Sequence, residues 1–186
     1  KPSPDRIEPE CPNAGVCGGC DYLHMTYARE LTEKQSIIAD ALKRTAKMDT
    51  AALPRIEPIS DKRFHYRSHA HLKSSDRGHG FFAKGSHTLV PFPKCGCLLL
   101  TKECGRHIAK MEHRGETAIA VDHTGKIITG RSGVVTEKCH GFLYKRGIDS
   151  FFQGNLFLRD KMIDRVLSYA GDRASDRVLD IGCGCG

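Results

Sequence analysis

Three cysteines lie within ten residues near the start of the chain, in the stretch CPNAGVCGGC. Cys11, Cys17 and Cys20 have a C-x5-C-x2-C spacing, and the glycines between them let a backbone wrap around an ion or a cluster. A closed site needs a fourth soft ligand, whether it holds tetrahedral zinc or a [4Fe-4S] cube. The later cysteines that offer this ligand are Cys95, Cys97, Cys104 and Cys139.

Other uses of these thiols stay open. The chain has nine cysteines, an odd number, and no recognisable export signal, which argues against a disulfide framework. Zinc loops usually contain two C-x2-C pairs, and the single pair here favours an iron-sulfur cluster over zinc. Cys17 and Cys20 also fit a Cys-Gly-Gly-Cys redox pair, although no strand precedes them as in thioredoxin-like proteins.

The charge balance indicates an anionic partner. The 186 residues include 29 Lys and Arg against 22 Asp and Glu, and ten histidines add positive charge as the pH falls. Such a surface attracts nucleic acid, and a well-solvated basic surface is the alternative. No apolar run approaches the ~18 residues that span a bilayer, so we expect a soluble, cytoplasmic protein that binds no membrane.

The hydrophobic periodicity predicts an α/β fold built around a central antiparallel sheet. We expect a proline-rich lead-in and cysteine loop over residues 1–21 and an amphipathic helix over 22–50. A central α/β domain with several hairpins follows over 51–152, and a second, Rossmann-like domain begins at 153–186. Thr32 and Gln35 have the spacing of a capping box for the helix.

A row of basic residues alternates with apolar residues from Phe64 onward, which predicts a half-buried strand. The basic row consists of His65, Arg67, His69, His71 and Lys73. Alternate residues on a strand lie about 6 to 7 Å apart, close to the spacing of phosphates in an extended nucleic acid. The face is therefore a candidate RNA-binding surface, and a solvated outer face of the sheet is the alternative.

The last stretch, VLDIGCGCG, predicts a buried strand over Val178–Ile181 that runs into a glycine loop. Asp180 lies near the end of the strand, and glycines follow at positions 182, 184 and 186. Glycines are needed where a backbone turns sharply against a ligand. The pattern resembles the cofactor loop of class I S-adenosylmethionine-dependent methyltransferases; a dinucleotide-binding loop, G-x-G-x-x-G, is the alternative.

Four stretches together resemble the iron-sulfur type of RNA 5-methyluridine (uracil-C5) methyltransferases. The segment from Ser3 to Gln35 contains the C-P-x4-C-G-G-C pattern of that family, followed by a helix. The remaining stretches are FHYRSHAHL, FFQGN and VLDIGCGCG, in the family's order.

The resemblance implies roles for individual residues. Cys11, Cys17, Cys20 and Cys95 would bind a [4Fe-4S] cluster, with Cys97 as the alternative fourth ligand and zinc as the alternative metal. The cofactor S-adenosylmethionine would contact Gln153, Asp180, Gly182 and Gly184. The RNA, an rRNA or a tRNA, would contact Arg67, His69 and Phe151, and the Phe151 ring would stack near the target base.

The resemblance also implies an activity that this chain does not complete. In the family a Cys attacks C6 of uracil, C5 is methylated and a carboxylate removes the C5 proton, and both groups follow the cofactor loop. We therefore expect no catalytic residue in this chain and no methyltransferase activity from it alone. A metal-stapled RNA-binding module and an iron-sulfur electron-transfer protein are the alternative functions.

Overall fold

The computed structural model describes residues 3–49, 51, 55–112, 114–171, 177 and 179–184. Three helices and seven strands lie within these ranges. In chain order they are α1 (Tyr27–Arg44), β1 (His69–Ser75), β2 (Gly78–Phe82), β3 (Leu89–Pro91), α2 (Lys102–Ile108), β4 (Gly115–Val121), β5 (Ile127–Gly130), β6 (Val134–Cys139), β7 (Phe142–Gly147) and α3 (Arg159–Ala170). None of these helices is long and apolar enough to cross a membrane.

A five-stranded antiparallel sheet in the order β3-β2-β1-β4-β5 forms the centre of the fold. Helix α2 packs on one face, where Leu72, Leu100, Cys104 and Ile119 are buried together. The predicted α/β class with a central antiparallel sheet is confirmed.

A separate hairpin of β6 and β7 covers the opposite face of β4. Ala118 and Ala120 of β4 are buried there with Val135 of β6 and with Ile148, which follows β7. Strand β4 is thus buried on both faces, and the hairpin is fixed against the sheet by a second apolar cluster.

The first strand is shorter than the alternation predicts, because β1 begins at His69 and not at Phe64. His65 has a left-handed backbone (φ 57°), which an extended strand does not accommodate. Its backbone N–H donates to the Leu98 carbonyl at 2.8 Å, and its Nδ1 lies 2.9 Å from the Leu100 carbonyl oxygen. His65 therefore leaves the predicted basic row.

Helix α1 lies inside the predicted range and starts differently. Thr26 is the N-cap and accepts the Arg29 backbone N–H, whereas Thr32 lies within the helix, so the predicted capping box is wrong. The Gln35 side chain instead donates to the Ile56 carbonyl at 2.6 Å and ties the helix to the following segment. No residue of α1 is buried. The family resemblance implies that this helix packs on a catalytic domain, and that packing stays a prediction.

The glycine-loop segment does not form the predicted buried strand within its described residues. Residues 179–184 contain no strand, and Leu179 and Ile181 are 82% and 87% exposed. A strand needs a hydrogen-bonded neighbour, and no strand pairs with this segment in the described part of the chain. Residues 178 and 186 of the prediction lie outside the described residues.

Candidate cofactor, RNA and metal sites

The residues expected to bind S-adenosylmethionine line one cavity of about 820 Å³. Gln153 reaches it from the segment before α3, and Asp180, Gly182 and Gly184 reach it from the glycine loop. Gly182 and Gly184 have left-handed backbones (φ 82° and 65°), the conformation that favours glycine. The structure thus brings together segments that are almost thirty residues apart in the sequence.

Phe151 lines the same cavity and is 80% exposed. The next residue, Phe152, packs against the guanidinium groups of Arg159 and Arg146, at 4.9 and 5.7 Å from the ring centre. The Phe152 ring is thus anchored, and the neighbouring Phe151 ring is exposed at the cavity. A flat aromatic ligand such as a nucleobase can stack on the Phe151 ring.

A buried charge network holds this segment in place. Glu137 of β6 is 1% exposed, and its carboxylate accepts hydrogen bonds from Arg146 (2.6 Å) and Arg159 (2.8 Å). Arg146 also donates to the carbonyls of Gly147, Ile148 and Ser150, each at 3.1 Å. These bonds shape the turn that leads into Phe151.

This network was not anticipated from the sequence. Its sequence signal is the position of Glu137, which alternates with the buried residues Val135 and Cys139 on the inward face of a strand. A charged residue on an apolar face needs a buried partner. The pattern does not say which of the many arginines supplies that partner.

Arg67 has a fixed guanidinium group with unused donors. Its Nε donates to the His69 carbonyl at 3.1 Å, and its guanidinium lies 5.5 Å from the centre of the Phe81 ring. Within the described residues, its two terminal nitrogens have no protein hydrogen-bond partner. They border a shallow groove of about 510 Å³ that also contains His71, Lys84 and the backbone of Gly18 and Gly19.

His69 differs from the other basic residues of the predicted row. Burial, and next the charges of Arg146, His71 and Arg67, lower its pKa to about 4. Its Nε2 is buried and has no hydrogen-bond partner among the described residues. His69 is therefore neutral at neutral pH and contributes no positive charge to the row.

Four cysteines face one small space. Cys11, Cys17 and Cys20 line it together with Cys97, and the space measures about 20 Å³. Burial, followed by the neighbouring thiols of Cys97, Cys17 and Cys11, raises the pKa of the Cys20 thiol to about 12. The Cys20 thiol is therefore neutral at neutral pH, and a bound metal centre would favour its thiolate form.

The structure places Cys97, and not Cys95, beside the other three cysteines. Cys95 is exposed and does not line the space. Gly96 lies between them with a left-handed backbone (φ 80°), which turns the chain so that consecutive cysteines of the C-G-C stretch face different ways. The candidate ligand set therefore changes to Cys11, Cys17, Cys20 and Cys97.

These thiols do not converge as ligands of a single ion do. In the part of the chain that the structure describes, no three His, Cys, Asp or Glu side chains form a group that could hold one metal ion.

Comparisons with known proteins point to RNA methyltransferases. An uncharacterized RNA methyltransferase of Bdellovibrio bacteriovorus is 29% identical over 99% of this chain and 46% of its own length. The 23S rRNA (uracil(1939)-C(5))-methyltransferase RlmD of Vibrio vulnificus is 25% identical over the whole chain and 53% of its own length. No protein-family profile matches the chain.

A solved structure has a similar fold. The tRNA (uracil-54, C5)-methyltransferase of Pyrococcus abyssi, in complex with S-adenosyl-L-homocysteine, matches with a TM-score of 0.60 and 18% identity, over 88% of this chain and 51% of that one. The resemblance to RNA uracil-C5 methyltransferases is thus confirmed, and the chain spans about half the length of the curated relatives that it matches.

Proposed function

We propose that this chain supplies the RNA-binding part and one wall of the cofactor site of an S-adenosylmethionine-dependent enzyme that methylates C5 of uridine in rRNA or tRNA. The observation that carries the proposal is the 820 Å³ cavity, because Gln153, Asp180, Gly182 and Gly184 meet there. These residues were selected from separate sequence motifs, and their convergence on one cavity is what a cofactor site requires.

The chain's own residues would bind and orient both substrates. The Gln153 amide and the Asp180 carboxylate offer hydrogen bonds to the polar groups of S-adenosylmethionine, which supplies the methyl group when bound. Phe151 offers a ring on which an unstacked uracil can lie, and Arg67 offers free guanidinium donors for phosphate or base oxygens. We assign no catalytic nucleophile to this chain.

The four-cysteine site fits a metal cluster by its donor set. Cys11, Cys17, Cys20 and Cys97 supply four soft ligands, the number that a [4Fe-4S] cluster needs, and the space of about 20 Å³ between them would have to widen to admit it. A bound cluster would tie the N-terminal loop to the segment after β3, a structural role. A tetrahedral zinc ion is the alternative, and it requires the thiols to approach one another more closely than they do here.

Cofactor binding tests the proposal most directly. Isothermal titration of the 186-residue chain with S-adenosylhomocysteine is expected to show one site, and Gln153→Ala to weaken binding by about tenfold, the effect of one lost polar contact to a ligand. Gln35→Ala is the matched control, because Gln35 lies on α1 and donates to the Ile56 carbonyl, away from the cavity. Equal affinities in the two variants would reject Gln153 as a cofactor contact.

Metal content is decided separately. After anaerobic purification, we expect iron and acid-labile sulfide in equal amounts together with the broad visible absorption of iron-sulfur proteins. Stoichiometric zinc without sulfide would show that the site holds zinc and not an iron-sulfur cluster. A metal-free protein that still binds S-adenosylhomocysteine would reject the metal site and leave the methyltransferase proposal in place.

A further inference from the structure

Arg159, the first residue of α3, is 3% exposed and makes three separate side-chain contacts. Its Nε donates to the Gln153 carbonyl at 2.6 Å, its Nη1 to Glu137 at 2.8 Å and its Nη2 to the Ser68 hydroxyl at 2.7 Å. One guanidinium group therefore joins three segments that are distant in the sequence.

Two of these segments carry the proposed ligand contacts. Gln153 lies on the cofactor cavity, and Ser68 directly follows Arg67, the candidate RNA contact. The backbones of the two segments also pair, since Arg67 forms a bridge with Asn155 and the Ser68 N–H donates to the Gly154 carbonyl at 3.2 Å. The cofactor segment and the RNA segment thus form one unit around Arg159.

We propose that Arg159 is a positioning residue that fixes Gln153 and Arg67 relative to each other, so that cofactor affinity and RNA affinity both depend on it. The inference rests on the proposed function. Arg159 acts on the cofactor side through the Gln153 backbone and on the RNA side through Ser68, without itself being a catalytic group.

The role needs an arginine in particular. A guanidinium group has five N–H donors in a rigid plane, so it can serve a carbonyl, a carboxylate and a hydroxyl that lie in three directions. A lysine has a single nitrogen and would keep the charge opposite Glu137 without spanning the three acceptors. The Phe152 ring, 4.9 Å from the guanidinium, adds a contact that suits a planar cation.

The test measures two affinities in three variants of the 186-residue chain. The ligands are S-adenosylhomocysteine and a fluorescein-labelled, uridine-rich single-stranded RNA oligonucleotide. Arg159→Lys is expected to weaken both by about tenfold, because each ligand then loses one well-placed polar contact. Ser68→Ala removes only the RNA-side bond, so it should weaken RNA binding and leave S-adenosylhomocysteine binding within about twofold.

Ile119→Ala separates positioning from general destabilisation. Ile119 is fully buried in the sheet core and lines neither the cofactor cavity nor the Arg67 groove, so this variant should melt at a lower temperature and bind both ligands normally where it is folded. Ligand affinities in Arg159→Lys that equal those of the wild type, or a loss confined to one ligand, would overturn the inference. A wild-type chain that binds neither ligand would instead overturn the proposed function.

Discussion

The backbone N–H of Gly18 donates to the Phe82 carbonyl at 2.9 Å, so the cysteine loop pairs with the end of β2. Cys17 and Ala83 form an isolated bridge beside it, and the Lys84 ammonium pairs with Asp21 at 2.6 Å. The loop that carries three candidate metal ligands is thereby held against the β2–β3 hairpin. Its other side faces the groove that contains Arg67.

This pairing predicts that Gly18→Ala disrupts the cysteine loop. A Cβ at this position would lie 2.8 Å from the Phe82 carbonyl oxygen, closer than real Cβ atoms approach, and the contact is with backbone. We expect loss of bound metal and a lower melting temperature. Gly105→Ala is the control, because a Cβ there meets nothing within 4 Å inside α2, and alanine favours a helix by up to about 1 kcal/mol. Equal metal content in the two variants would contradict the prediction.

The choice between the two later cysteines gives a second prediction. Cys97→Ala is expected to abolish metal binding, because Cys97 lines the space shared with the other three thiols. Cys95→Ala should keep the wild-type metal content, since Cys95 is exposed outside that space. Metal analysis of both variants, purified in parallel, distinguishes them, and retention of metal by Cys97→Ala alone would restore Cys95 as the ligand.

Local patterns of the sequence were sufficient for much of the fold. Period-two alternation predicts the hairpins of the central region. The left-handed backbone of His65 could not be foreseen, because only glycine marks such positions reliably in a sequence. The first strand therefore begins five residues later than predicted, at His69.

The candidate site likewise combines features that the sequence predicts with features that it does not predict. Two local motifs predict that Gln153, Asp180, Gly182 and Gly184 belong to one site, and these residues line the same cavity. Arg159 is buried at the start of α3, because Glu137 from a strand twenty-two residues earlier compensates its charge. The alternation in β6 signals that Glu137 needs a buried partner, but no local pattern identifies Arg159 as that partner.

RNA binding should depend on Arg67 more than on other arginines. Arg67→Ala is expected to weaken binding of a uridine-rich oligonucleotide and to lower the slope of log affinity against log salt by about one, because one phosphate contact is lost. Arg77→Ala removes the same charge from an exposed turn at the far end of β1. Fluorescence titrations across a salt series measure both variants. A similar loss of RNA affinity in the two variants would mean that Arg67 contributes only through the net charge of the protein.

His69 predicts a pH-dependent stability. Its pKa is lowered to about 4 in the folded protein from an ordinary 6.5, so the unfolded chain binds the proton more readily. The free energy of unfolding should therefore fall as the pH drops from about 6.5 to 4. Above pH 6.5 the stabilising contribution of the neutral His69 is fully present. The groups that lower the pKa of His69 by their charge are Arg146, His71 and Arg67, with Asp149 opposing them.

His69→Gln should flatten this part of the profile, because glutamine does not titrate. His107→Gln is the control, since His107 is exposed on α2 and is not among the groups that shift the pKa of His69. Urea unfolding at several pH values between 4 and 7.5 measures the slopes. An unchanged slope in His69→Gln would assign the pH dependence to other groups.

The Arg146–Glu137–Arg159 network predicts a large stability effect from a single buried charge. Glu137→Gln keeps the size of the side chain and leaves two buried guanidinium groups without a carboxylate, so the free energy of unfolding should fall by about 3–5 kcal/mol. The exposed Glu103, paired with Arg106 at 3.0 Å, offers a matched substitution, and Glu103→Gln should cost less than about 1 kcal/mol. Urea denaturation of both variants at pH 7 measures the difference. Losses of similar size would mean that the buried carboxylate stabilises the hairpin no more than a surface ion pair does.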